Sequence, residues 1–184
     1  MLLIEKLQGL NNTKSDLIGK ILESFIPKTF HKGLLLNTPE HSYPVLYYIE
    51  SGLARGYFFH HGQENTSWII KSGFILPSFF SKTNSEEYIN FISDTTGYSL
   101  NLSLLDGFAK MNSAFYRLML EIYEEDMHLR MQREKMLRIK NAETRFLHFQ
   151  KVYPELMYLP IHNIIASFIN IESKYFFKIK AKYR

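Results

Sequence analysis

The segment from Ser173 to Arg184 carries the side chains most suited to chemistry with a partner. Lys174 and Lys178 stand four positions apart, with Ser173, Tyr175, Phe177, Lys180 and Lys182 around them. On a helix, residues four apart share a face. Two ammonium groups would then project together, each able to hold a phosphate oxygen, while the serine and tyrosine hydroxyls add hydrogen bonds or positioning. The same periodicity turns Phe176, Ile179 and Tyr183 inward and leaves Lys174, Phe177, Lys178, Ala181 and Lys182 on the opposite face. Such a row suits a polyanion. Lysines near a helix C-terminus also complement the macrodipole and stay solvated, and these residues alone leave both uses open.

Charge along the chain is divided in the same sense. Residues 1–126 hold ten Lys/Arg against fourteen Asp/Glu, a net −4, whereas residues 127–184 hold twelve against four, a net +8. A basic C-terminal part favours a polyanionic partner through counterion release, and a well-solvated helical surface accounts for the charge equally well. Other chemistries find no support. There is no cysteine, which removes disulfides, thiolate-held iron–sulfur clusters and a Cys nucleophile. A metal site of the kind β-barrel enzymes carry needs two histidines at alternate positions of one strand, but His60 and His61 are adjacent, and His31, His41, His128, His148 and His162 are scattered. No Ser-His-Asp or glycine-rich phosphate-loop pattern occurs. The expectation is a non-enzyme with no catalytic residue, no metal and no cofactor. The N-terminal apolar run is too short for a signal peptide and no 18 apolar residues follow one another, so the cytoplasm is the expected compartment, with no membrane partner.

The elements that must position the lysines follow from periodicity. Residues 1–29 read as a partly helical lead-in, with Leu7, Leu10, Leu17, Ile21, Leu22 and Phe25 at three- and four-residue spacings until Pro27 interrupts. From Phe30 to about Leu104 the texture changes to short β-branched and aromatic runs cut by turn residues, as in an all-β sandwich or barrel. Leu34–Asn37, Val45–Glu50, Leu53–His60, Asn65–Lys71, Tyr88–Ser93 and Gly97–Leu102 are the expected strands. Between Lys110 and Tyr153 there is no Gly or Pro, which predicts one long helix with Asn141 as the place for a break. Phe115, Leu118, Ile122, Leu129 and Met136 fall on a 3.5-residue seam, expected to pair with its copy in a homodimer; the other use of the stripe is packing on the chain's own β-domain. Near the C-terminus, Ile161, Ile164, Ile165 and Phe168 make a buried face. Ala166 is small enough for a second helix to cross closely, Asn170 can take the left-handed turn conformation, Ile171 restarts the core, and Glu172 or Ser173 can cap the next helix.

Three segments, in order, resemble the Crp/Fnr family of transcription regulators. Phe30-His31-Lys32-Gly33-Leu34 followed by Tyr48-Ile49-Glu50-Ser51-Gly52-Leu53-Ala54-Arg55-Gly56-Tyr57 is similar to the opening of that family's cyclic-nucleotide-binding fold. Glu143-Thr144-Arg145-Phe146 with Tyr153-Pro154-Glu155-Leu156 resembles the stretch before its DNA-binding module. Ile165-Ala166-Ser167-Phe168-Ile169-Asn170-Ile171 resembles the helix-turn-helix itself. The resemblance implies an α+β architecture. Residues 1–110 would form a double-stranded β-helix (jelly-roll) sensor domain of the cyclic-nucleotide-binding-like type with an N-terminal helix, residues 111–140 a long dimerisation helix, and residues 141–184 a C-terminal helix-turn-helix. It also implies double-stranded DNA as partner, read by Ser173, Lys174, Tyr175, Phe177, Lys178, Lys180 and Lys182, and contact with RNA polymerase.

The chain departs from the family's pattern in several places. Asn170 stands where the family usually has Gly, and Phe177-Lys178 where it has Ser-Arg, which removes the bidentate grip of arginine on guanine. No β-wing is expected after Arg184. The sensor region Ile75 to Ile92 lacks the Gly-Glu pair and the arginine that hold cyclic AMP; no arginine occurs between Arg55 and Arg117. Without that guanidinium a cyclic phosphate would lose on the order of a hundredfold in affinity, so cyclic AMP is not the expected effector. Phe74, Ser78, Phe79, Phe80, Lys82, Glu87 and Tyr88 would line an apolar or collapsed pocket, open to another small molecule or to none. The alternative to a DNA-binding regulator is a module of the same architecture that acts through protein or small-molecule contacts alone.

Overall fold

The protein was analysed as a computed structural model, which describes residues 2–9, 15–36, 45–76, 87–101 and 113–183. Helices α1 (Leu3–Gly9) and α2 (Ser15–Ser24) come first. The described strands are β1 (Ile26–Phe30), β2 (Leu35–Leu36), β3 (Val45–Ser51), β4 (Ala54–His60), β5 (Gln63–Ile70), β6 (Gly73–Ile75), β7 (Tyr88–Phe91) and β8 (Thr95–Asn101). Helices α3 (Ser113–Leu137) and α4 (Ala142–Val152), a 3-10 turn over Pro154–Tyr158, and helices α5 (His162–Phe168) and α6 (Ser173–Lys182) follow.

The strands form two four-stranded sheets, ordered β1-β8-β3-β6 and β2-β7-β4-β5. Two of them differ from the sequence expectation. β1 contains Pro27, which reads as a helix stop, but among the described strands it lies at an edge beside β8, with Pro27 opposite Tyr98. An edge tolerates a residue that cannot donate on both sides. The other, β6, is three residues long and also lies at an edge.

The chain divides into two compact bodies, residues 1–56 with 69–126, and residues 57–68 with 127–184. The first is rich in β-structure. Its core joins Leu3, Leu7, Ile18 and Ile21 from the N-terminal helices to Leu46, Tyr48, Phe74 and Leu100 from the sheet and Phe115, Leu118 and Ile122 from α3. Phe30 and Phe91 stack with ring centroids 4.2 Å apart. The backbones approach so closely between β3 and β8 that a Cβ at Gly97 would lie 2.1 Å from the Tyr48 carbonyl oxygen. Gly52 turns the chain after β3 at φ +129°, and a Cβ there would meet Thr95 Oγ1 at 2.2 Å. Only glycine fits either place.

This core corrects the reading of α3. Phe115, Leu118 and Ile122 fill the chain's own β-rich body and are out of reach of a partner, because the apolar sheet face needed covering and the nearest helix supplied it. Met136 is likewise buried, in the second body, while Leu129 is exposed. Other apolar side chains of α3 stay in solvent, Tyr116 (55% exposed) and Leu120 (63%) in the first body and Met127 (57%) and Met131 (48%) in the second. Among the described residues no helix is long and apolar enough to cross a membrane.

Candidate nucleic-acid interface

The second body is small, and its helices are short. Asn141 caps α4 by accepting the Thr144 N–H at 2.9 Å, so the break in the long helix falls at the expected residue. The core holds Phe146, Phe149, Ile165, Ala166, Phe168, Ile169, Phe176 and Ile179, all buried, with Phe146 and Phe176 edge to face at 5.4 Å. Phe176 and Ile179 therefore point inward as their spacing predicts, and Ala166 has no exposed surface where the helices cross.

The turn between α5 and α6 has a defined cause. Asn170 adopts φ +51°, a left-handed conformation that Asn tolerates better than most residues. Ile171 N–H donates to Ala166 C=O at 2.9 Å and Asn170 N–H to Ser167 C=O at 3.1 Å. These are the two bonds of a Schellman helix end, so asparagine serves here where glycine would be the default. Arg145 locks the turn from below. Its guanidinium donates to the carbonyls of Ile169 (2.6 Å), Asn170 (2.8 Å) and Ile139 (2.5 Å), which satisfies acceptors that a helix end otherwise leaves open. Sequence reading noted Arg145 only as part of a resembling stretch. Its position beside Phe146 on the inward face of α4 was the available signal.

The predicted contact residues separate into two groups. Lys174 and Lys178 are exposed on α6 and make no hydrogen bond or ion pair among the described residues, and Tyr175 and Phe177 are exposed with them; Ser173 is half-buried at the helix start. Lys180 and Lys182 are occupied by the fold. Lys180 turns inward, where its ammonium donates to Met157 C=O at 3.1 Å and to His162 Nε2. Lys182 bonds the Glu143 carboxylate at 2.9 Å, which Tyr183 also reaches at 3.1 Å. Those two bonds hold the Glu143 carboxyl below its usual range and raise the Lys182 ammonium. Lys180 thus has its nearest acceptors within the module, while Lys182 stays largely exposed beside Glu143.

Of the proposed sensor-pocket residues, Phe74 packs on Tyr48 at 4.8 Å within the core and is structural. Glu87 and Tyr88 are half-buried. Ser78, Phe79, Phe80 and Lys82 lie outside the described residues. Among the described residues no three His, Asp or Glu side chains gather to hold a metal.

No family model and no curated protein matches the sequence. Solved structures do match. A double mutant of CooA from Carboxydothermus hydrogenoformans superposes with a TM-score of 0.69 over 100% of this chain and 84% of its own, at 17% identity. A transcriptional regulator assigned to the Crp/Fnr family from Eubacterium rectale gives 0.72 over 94% and 84% at 15% identity. The c-di-GMP-responsive global regulator CLP of Xanthomonas campestris gives 0.67 over 92% and 91% at 14% identity. The chain therefore has the fold of Crp/Fnr-type regulators.

Proposed function

We propose that this chain is a DNA-binding transcription regulator of the Crp/Fnr type, in which α5 and α6 are a helix-turn-helix and α6 enters the major groove. The observation that carries the reading is α6 itself. Its inner face is spent on Phe176 and Ile179, and its first two turns offer Lys174, Tyr175, Phe177 and Lys178 to solvent from a turn that Arg145 and Asn170 hold rigid. A reader helix of this kind contacts base edges with its N-terminal residues while lysines hold phosphates. The fold shared with Crp/Fnr regulators supports the same reading. A second copy covering the exposed Tyr116 and Leu120 would make a homodimer, and its two α6 helices would read a pseudo-palindromic site.

Fluorescence anisotropy with duplex DNA across salt concentrations tests this. Binding should weaken steeply as salt rises, and Lys174→Ala or Lys178→Ala should each lower the log–log slope by about one. Cyclic AMP added to the same titration should leave the affinity unchanged, since the sensor region lacks the arginine a cyclic phosphate requires. The exposed rings of Tyr175 and Phe177 favour a second reading, a module that binds protein alone. An absence of salt-dependent duplex binding would decide for it.

A further inference from the structure

The β4–β5 hairpin belongs, from Tyr57 to Trp68, to the same compact body as the helix pair. It reverses at His61 (φ +50°) and Gly62 (φ +73°), two consecutive left-handed residues that suit a tight two-residue hairpin. Among the described strands β5 lies at the edge of its sheet, where one row of its backbone groups faces no described strand. Side chains of the helical body take that place. Ser167 Oγ, on the last turn of α5, accepts the Thr66 N–H at 2.9 Å and donates to Glu64 C=O at 3.0 Å. Arg133, from α3, donates through Nη2 to Thr66 C=O at 2.9 Å and through Nε to Phe168 C=O at 3.1 Å. Its guanidinium also stands 5.0 Å from the centre of the Phe168 ring. Thr66 has no exposed surface.

We propose that Ser167 and Arg133 are positioning residues that fasten the end of α5 to the edge of β5, so that the hairpin sets the orientation of α6. The inference rests on the DNA-binding reading of α6 for its consequence, but not for its geometry. The fastened residues, Ser167 and Phe168, immediately precede the turn through Ile169 and Asn170 into α6. Every link from Thr66 to that turn is a hydrogen bond within one body. The hairpin strands continue by covalent connection into residues 54–56 and 69–70 of the β-rich body.

The test uses the full chain and three variants. Ser167→Ala removes the hydroxyl from a helix without disfavouring the helix. Arg133→Lys keeps the charge but cannot span Thr66 and Phe168 together. Ser167→Thr keeps the hydroxyl. Amide hydrogen exchange should rise about tenfold at Thr66 in Ser167→Ala and Arg133→Lys, and rise together with it over residues 169–176. Duplex affinity should change several-fold with the salt slope unaltered, and Ser167→Thr should restore both. Faster exchange confined to the hairpin, failure of Ser167→Thr to restore protection, or a reduced salt slope in Ser167→Ala would each overturn the proposal. Should the unmodified chain bind no duplex, the DNA reading fails, while the exchange measurement still decides the fastening.

Discussion

The β-rich body closes on hydrocarbon, with Leu46, Ile49, Phe91 and Leu100 buried between strands and helices, whereas the helical body adds to its apolar core of Phe146, Phe149, Ile165 and Phe176 a set of cations bonded to backbone carbonyls. In the second body Arg145 reaches three carbonyls, Arg133 two and Lys180 one. The reason is length. A seven-residue α5 and a ten-residue α6 leave a large share of their carbonyls at helix ends, without intrahelical partners. Charge-assisted bonds supply partners for some of them. Positive charge in this part of the chain thus has two uses. At least five of its twelve Lys/Arg side chains bond within the chain, Arg138 and Lys182 through solvent-exposed ion pairs with Glu134 and Glu143 in addition to the three above. Lys174 and Lys178 stay outside.

The contrast can be attacked from either side, beginning with the larger effect. Phe91→Ala should cost the β-rich body about 3–5 kcal/mol through lost burial and the cavity left behind, at low and high salt alike. Trp68, the only tryptophan, lies in the helical body, so its fluorescence midpoint in urea should move little while the circular dichroism midpoint falls. An equal fall at Trp68 would mean that the bodies unfold as one.

Arg145→Ala should do the converse, lowering the stability read at Trp68 by about 2–3 kcal/mol as three carbonyls, that of buried Ile169 among them, lose their donor. Arg145→Lys should recover less than half, because an ammonium cannot reproduce a planar fork. Full recovery by lysine would show that charge, and not geometry, holds the turn.

The smallest effects lie in the pH profile, where the two bodies should weaken on opposite limbs. Glu143 titrates below its ordinary range because Lys182 and Tyr183 bond its charged form, so its contribution is present above the unfolded carboxyl value and fades as pH falls through the folded one. Burial, with Asp126 nearby, pushes the Tyr123 phenol up to about 12. Its contribution is full below the ordinary tyrosine value of about 10 and declines between there and 12. Glu143→Gln should flatten only the acid limb read at Trp68, and Tyr123→Phe only the alkaline limb of the β-rich body. Crossed effects would contradict the division.

Much of this was legible in the residues. Period-two runs placed six strands, the lack of Gly and Pro placed α3, and Asn141 marked its break. Asn170 was readable as the left-handed turn, and Phe176 and Ile179 as the inner face of α6, because those features depend on residues within a turn or two of one another. The tertiary structure alone decided that the Phe115–Leu118–Ile122 stripe serves the chain's own core, that a strand containing Pro27 could lie at a sheet edge, and that Arg133, Arg145, Ser167 and Lys180 face backbone groups inside the fold. Periodicity reports that a face is buried without reporting against what, and the answers here come from afar: Arg145 to Ile169 spans 24 residues, Arg133 to Thr66 spans 67 and Ser167 to Thr66 spans 101. A long polar side chain takes whatever unpaired carbonyl the assembled fold brings within reach, and that is settled only once the distant segments have met.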